Sequence, residues 1–164
     1  NGCGITSTPM AMATKKHIEQ KQLPYTPEQM FALVAAVDRY KEFAPWCVAS
    51  RINRWEGDDV FYADLVVGYK LLRERFTSKV HLRAPTTDMP GQITIEYLKG
   101  PLKQLQNTWV FSPDGQGGCV IDFSVEFEFN NSMLQGIAQV FFQEIVKRMV
   151  GAFEARAQEL YGVA

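Results

Sequence analysis

Residues 132–161 read SMLQGIAQVFFQEIVKRMVGAFEARAQELY, and no other stretch of the chain sustains a helical apolar period for so long. Leu134, Ile137, Ala138, Phe141, Ile145, Met149, Ala152, Phe153, Ala157 and Leu160 recur at steps of three and four, which predicts one face of a long amphipathic helix. Ser132 is the expected N-cap and Gly162 the expected stop, with Arg148 and Arg156 in the half where cations suit the helix dipole. Val140, Phe142, Val146 and Val150 widen the stripe beyond one flat contact. Two arrangements cover such a helix: a curved sheet wrapped tightly around it, or a sheet that leaves a lipid-sized pocket beneath it.

The composition frames that choice. A chain of 164 residues, 46% hydrophobic and 12% aromatic, fits one domain with a substantial core. A net charge of -1 argues against a nucleic-acid footprint spread over the whole domain. No apolar run approaches the roughly 20 residues of a spanning helix. Cys3, Cys47 and Cys119 are odd in number and lack metal-ligand spacing, so they give no disulfide framework, and Cys47 and Cys119 read as small packing residues. Residues 1–14 lack periodicity and are expected to be a flexible segment ahead of a domain over 15–162.

Residues 15–23 suit an edge strand that ends at Pro24. Thr26, Pro27 and Gln29 predict a helix start with a capping box, and Met30, Phe31, Leu33, Val34 and Val37 supply its buried face. A second short helix is expected from Asp38 to Phe43, broken before Pro45. From Cys47 to Asn130 the period changes to that of strands. Residues 72–82 put Arg73, Arg75, Lys79, His81 and Arg83 on one face, with Leu72, Glu74, Phe76, Ser78, Val80 and Leu82 on the other. Glu74 is out of place on an apolar face, and either a salt bridge or a polar anchor in a pocket accounts for it. Pro113 to Gly118 reads as a hairpin loop, and Cys119 to Phe129 alternates most strictly of all.

Strand, two helices, six strands and a long helix is an order without alternating strand–helix units. It predicts an α+β fold: a curved seven-stranded antiparallel sheet around the C-terminal helix, with two short helices after the first strand. The gap between sheet and helix is the natural pocket.

Several local words sit on this pattern: Leu23-Pro24-Tyr25-Thr26, Phe43-Ala44-Pro45-Trp46-Cys47, Leu72-Arg73-Glu74-Arg75-Phe76-Thr77-Ser78, Gly100-Pro101-Leu102-Lys103, Asn107-Thr108-Trp109, Phe127-Glu128-Phe129 and Phe153-Glu154-Ala155-Arg156-Ala157. Together with the element order, the chain resembles the START-like helix-grip superfamily. Within it, the chain is similar to the coenzyme Q-binding branch of mitochondrial and bacterial respiratory proteins described as polyketide cyclase-like. The resemblance implies a bound ligand, ubiquinone or a similar isoprenoid lipid, with no catalytic cofactor and no reaction of its own. It also implies a place at the respiratory inner membrane, on the matrix side in a mitochondrion or the cytoplasmic side in a bacterium. The same superfamily includes a ribosome-directed toxin branch, for which the basic strand would serve, and cyclase-like enzymes.

Inward alternation of the strands and the helix stripe predicts a cavity lined by Phe76, Tyr97, Trp109, Phe123, Phe127, Phe141, Ile145 and Met149, with Glu74 and Asn107 as polar members. Trp46 is expected at one mouth, as an entrance residue or as core packing. Residues 66–72 carry more apolar side chains than a solvent-facing hairpin needs. Val67, Tyr69, Leu71 and Leu72 beside Lys70, with Met133 and Leu134 at the helix start, predict transient contact with an anionic membrane; the alternative is a hairpin that caps its own core. His17 and His81 are expected at outward or edge positions, and no metal site is predicted.

Overall fold

The computed structural model describes residues 15–162, so the segment expected to be flexible, 1–14, lies outside the described residues. The elements follow the expected order: β1 (Lys15–Leu23), α1 (Pro27–Ala35), a 3₁₀ helix (Val37–Glu42), β2 (Cys47–Glu56), β3 (Val60–Tyr69), β4 (Leu72–Arg83), β5 (Gly91–Lys99), β6 (Leu102–Pro113), β7 (Cys119–Phe129) and α2 (Ser132–Tyr161). The strands form one antiparallel sheet in the order β1-β7-β6-β5-β4-β3-β2. β2 to β7 meander through successive hairpins, and β1 closes onto β7, leaving β1 and β2 as the edges. Among the described residues no helix is long and apolar enough to cross a membrane.

Local chemistry explains where α1 starts. Thr26 accepts from the Gln29 amide at 3.1 Å while the Gln29 side chain accepts from the Thr26 amide at 2.9 Å, so two otherwise orphan donors are satisfied. The second short helix is 3₁₀ rather than α: its few residues lack a side-chain cap, and Ser50 on β2 pins it through Lys41 N and Asp38 O.

The concave face of the sheet meets both α-helices. Phe61, Ala63, Val80, Ile93, Trp109, Phe111 and Ile121 pack with Met30, Leu33 and Val34 of α1 and with Phe153 and Ala157 of α2. Fully burying a residue such as Phe61 or Phe111 stabilises the fold by about 1.5–3 kcal/mol. Cys119 is buried in the same core, and its thiol is pushed up to about 11 by burial, which suits a packing role.

The long helix departs from expectation in two ways. Its N-cap is Asn131, whose Oδ1 accepts from the Met133 and Leu134 amides, one residue before the predicted Ser132. Its buried stripe runs through Gln135, Ala138, Phe142, Val146, Phe153 and Ala157. The predicted stripe holds at Ala138, Phe153 and Ala157, but between them the buried row runs through Phe142 and Val146, expected only to widen it: Phe141 is 54% exposed, and Ile137 and Leu160 also face solvent. Gln135 sets this row, because its buried Oε1 accepts from the Phe129 amide at 2.7 Å and turns that side of the helix toward β7.

Candidate functional site

Trp109 and Phe123 are adjacent across β6 and β7, and their rings lie 4.5 Å apart with Phe153 of α2 at 5.2 Å from Trp109. These aromatics, with Leu23, Met30, Ile121 and Val150, wall an apolar cavity of about 30 Å³ beneath the helix. Its remaining lining is charged: Glu19, Lys21 and Glu154 close it toward the edge of the sheet. Lys21 donates to Glu154 across the seam between β1 and α2 and lies 3.9 Å from Glu19. The hydrogen bond to Glu154 holds the Lys21 ammonium above its ordinary range against some burial.

The predicted lining is thus only partly assembled there. Trp109, Phe123 and the neighbouring half-buried Met149 belong to this core. Phe127 packs on Phe142 at 5.3 Å, nearer the start of α2, and Ile145 is half-buried. Phe76 lies on the concave face opposite Leu65 but away from the cavity. Tyr97 and Asn107 are engaged structurally: the Tyr97 hydroxyl accepts from Leu102 N at 3.0 Å, and Asn107 donates to Ser124 O and accepts from Trp109 Nε1. Phe141 is the outright correction, since the buried row of α2 leaves it in solvent. Glu74 is half-buried opposite Val67 and forms neither a hydrogen bond nor a salt bridge among the described residues, so the expected ion pair is not made.

Antiparallel topology brings residues 46–47, 69–72, 99–102 and 129–133 to one end of the molecule. Trp46 sits there half-buried with a positive φ of 63°, its carbonyl accepting from Gly68 N at 2.8 Å. That conformation is unfavourable for a non-glycine residue by about 1–2 kcal/mol. The hairpin tip beside it is also built at some cost. Lys70 has a φ of 55°, and the Arg73 guanidinium lies 2.7 Å from where a Gly68 Cβ would be while donating to the carbonyls of Lys70 and Leu72. What this turn presents is Leu71, 99% exposed, with Tyr69 and Leu72 exposed beside it. Val67 and Leu134, expected in the same contact, are half-buried. Met133, Ile137, Val140 and Phe141 are exposed apolar residues on α2.

Sequence reasoning missed the seam. His17, expected outward or at an edge, is on the edge strand but turns toward the helix: its ring lies 6.3 Å from Phe123 and its Nε2 is 3.0 Å from Glu19. His17, Glu19 and Lys21 alternate onto the same strand face as the apolar Leu23, and that charged run on an inward face was the available signal. His81 faces outward and meets Glu96 at 2.8 Å. Among the described residues no group of three or more His, Cys, Asp and Glu is placed to hold a metal ion.

A seven-stranded sheet gripping a C-terminal helix over an apolar cavity defines the START-like helix-grip class. Residues 23–154 match the family model described as polyketide cyclase / dehydrase and lipid transport, and the chain belongs to that family. It is 37% identical over 152 residues to the coenzyme Q-binding protein COQ10 homolog B, mitochondrial, of Xenopus laevis, covering 90% of this chain and 59% of that protein, so it spans somewhat over half the relative's length. It is 33% identical over 148 residues to the ribosome association toxin RatA of Pseudomonas aeruginosa, covering 89% of this chain and 98% of the toxin. A START superfamily protein from Mycobacterium smegmatis has the same fold, with a TM-score of 0.68 at 15% identity over 88% of this chain and 98% of that one.

Proposed function

We propose that this chain binds ubiquinone or a related polyprenyl lipid between sheet and helix and carries or chaperones it at a respiratory membrane. It performs no reaction of its own; its membrane is the mitochondrial inner membrane on the matrix side, or the bacterial inner membrane on the cytoplasmic side. The observation that carries the reading is an aromatic-walled apolar cavity under α2 in a chain 37% identical to a protein named for coenzyme Q binding. Trp109, Phe123 and Met149 are the proposed contacts of the apolar tail, with Phe76, Phe127 and Ile145 available once the helix lifts.

Docking on an anionic bilayer is assigned to the end that displays Leu71. Tyr69, Leu71, Leu72 and Met133 supply exposed apolar surface, and the exposed Lys70, Arg73 and Arg75 supply cations. Each such cation near an anionic surface contributes about 1 kcal/mol, and salt screens it. Trp46 at the base of this hairpin is the proposed mouth residue.

A ribosome-directed reading has a specific observation in its favour, the match to RatA over nearly the whole toxin. The basic row on β4 supports it poorly. Lys79 meets Glu56 at 3.4 Å, His81 meets Glu96, and Arg83 donates to Gln92, leaving only Arg73 and Arg75 of the row without a side-chain partner among the described residues. Extraction of the purified protein into organic solvent, followed by mass spectrometry, separates the two. The carrier reading expects co-purified ubiquinone or a polyprenyl relative; lipid-free protein that co-sediments with ribosomes would replace it with the toxin reading.

A further inference from the structure

Two hollows meet at the seam between β1 and α2, and the same four residues, Glu19, Lys21, Val150 and Glu154, line both. The inner one is the apolar cavity of about 30 Å³, too small for any lipid as it stands. The outer one is a groove of about 500 Å³, bounded also by His17, Gln143, Val146, Lys147 and Gly151. A wall one side chain thick therefore separates a roomy groove from the aromatic core. The Lys21–Glu154 ion pair ties that wall together. Both partners are more than a third exposed, and exposed pairs hold weakly, which suits a contact that must open.

The polar groups of the groove discriminate between ligands. Glu19 is engaged by His17 and Lys21, Glu144 by Arg148 at 3.0 Å, and Glu154 by Lys21. Lys147 and Gln143 have no partner among the described residues. The groove thus keeps unpaired hydrogen-bond donors while its carboxylates are already matched, which favours a ligand that brings acceptor oxygens. Val146 and Val150 give it an apolar floor. Gly151 is a separate pointer. A Cβ there would meet nothing within 4 Å, so packing does not demand glycine, and glycine weakens a helix interior relative to alanine or leucine. What its missing side chain provides is width in the groove.

We propose that this groove receives the oxygen-bearing ring of a polyprenyl quinone, with Lys147 and Gln143 donating to the ring oxygens, and that the Lys21–Glu154 pair is the gate through which the tail reaches the cavity beneath α2. The inference rests on the quinone-binding reading and adds where the ring sits and what opens. The inner cavity enlarges as the pair parts and the tail displaces Val150, which lines both hollows.

Equilibrium dialysis of the full chain against a ubiquinone with two isoprene units, run beside thermal unfolding, tests it. Gly151→Leu fills the groove and removes a helix glycine, so its melting temperature stays level or rises while affinity falls at least tenfold. Lys147→Ala, at an exposed position, weakens binding at least threefold. Lys21→Gln combined with Glu154→Gln keeps the shape and removes the charges, so quinone release measured by stopped flow accelerates at least fivefold and loses its salt dependence. Binding within twofold of wild type in both Gly151→Leu and Lys147→Ala would overturn the seam as the ring's seat and leave quinone binding intact. Absence of saturable binding in the wild type would overturn both readings.

Discussion

A Phe153→Ala variant will lose about 3–5 kcal/mol of unfolding free energy, the usual cost of deleting a fully packed aromatic ring. Phe153 is 5% exposed, and its ring meets Tyr40 at 5.3 Å, Phe43 at 5.2 Å and Trp109 at 5.2 Å. It is the point where α2, the 3₁₀ helix and the concave face of the sheet close on one another. Removing it leaves a ring-sized void continuous with the cavity, and Tyr40, whose hydroxyl donates to Val34 O, is too well anchored to fill it. Urea unfolding should show a lower midpoint with an unchanged slope. A loss under about 1.5 kcal/mol would mean that the helix is not clamped to the sheet here.

Changing Leu71 and Leu72 together to serine will reduce binding to anionic vesicles at least tenfold without lowering stability. Full burial of a leucine is worth about 1.5–3 kcal/mol, and tenfold in partition is about 1.4 kcal/mol. Leu71 is almost wholly exposed and Leu72 about half, so both hold their gain in reserve for a partner surface, and the fold gains little from either. Sedimentation with vesicles containing anionic lipid measures the effect, and residual binding should weaken further in high salt. Unchanged sedimentation of a folded double variant would move the membrane contact away from this hairpin. A large drop in melting temperature would mark the hairpin as a cap on its own core.

Local signals carried most of the fold. The capping box of Thr26 and Gln29 needs only four neighbouring residues, and the strict alternation of Cys119 to Phe129 states both strand and inward face. The buried row of α2 was not legible because two adjacent rows of the helix are both apolar. Ile137, Phe141 and Ile145 compete with Ala138, Phe142 and Val146, and hydrophobicity does not choose between them. The choice is tertiary: the Phe129 amide takes the Gln135 side chain, burying a polar residue and leaving Phe141 in solvent. Asn131 and Ser132 are both good caps, and only the path of the preceding turn selects the first. Glu74 drew attention as a charge on an apolar face, yet among the described residues it has no hydrogen-bond or salt-bridge partner. The seam was hidden for a different reason. Lys21 and Glu154 are 133 residues apart, and nothing in either local sequence pairs an edge strand with the far half of a helix.

Trp109 is a built-in reporter of the cavity, because its indole lines it and touches both Phe123 and Phe153. With Trp46 and Trp55 changed to phenylalanine, Trp109 becomes the sole tryptophan, and a short-chain ubiquinone added to that protein reports on the cavity alone. A quinone held between the sheet and α2 will quench Trp109 in a way that saturates with quinone concentration and is relieved by a competing long-chain polyprenyl quinone supplied in vesicles. Quenching that rises linearly without saturation, or fluorescence that does not respond, would contradict binding of a quinone between the sheet and α2.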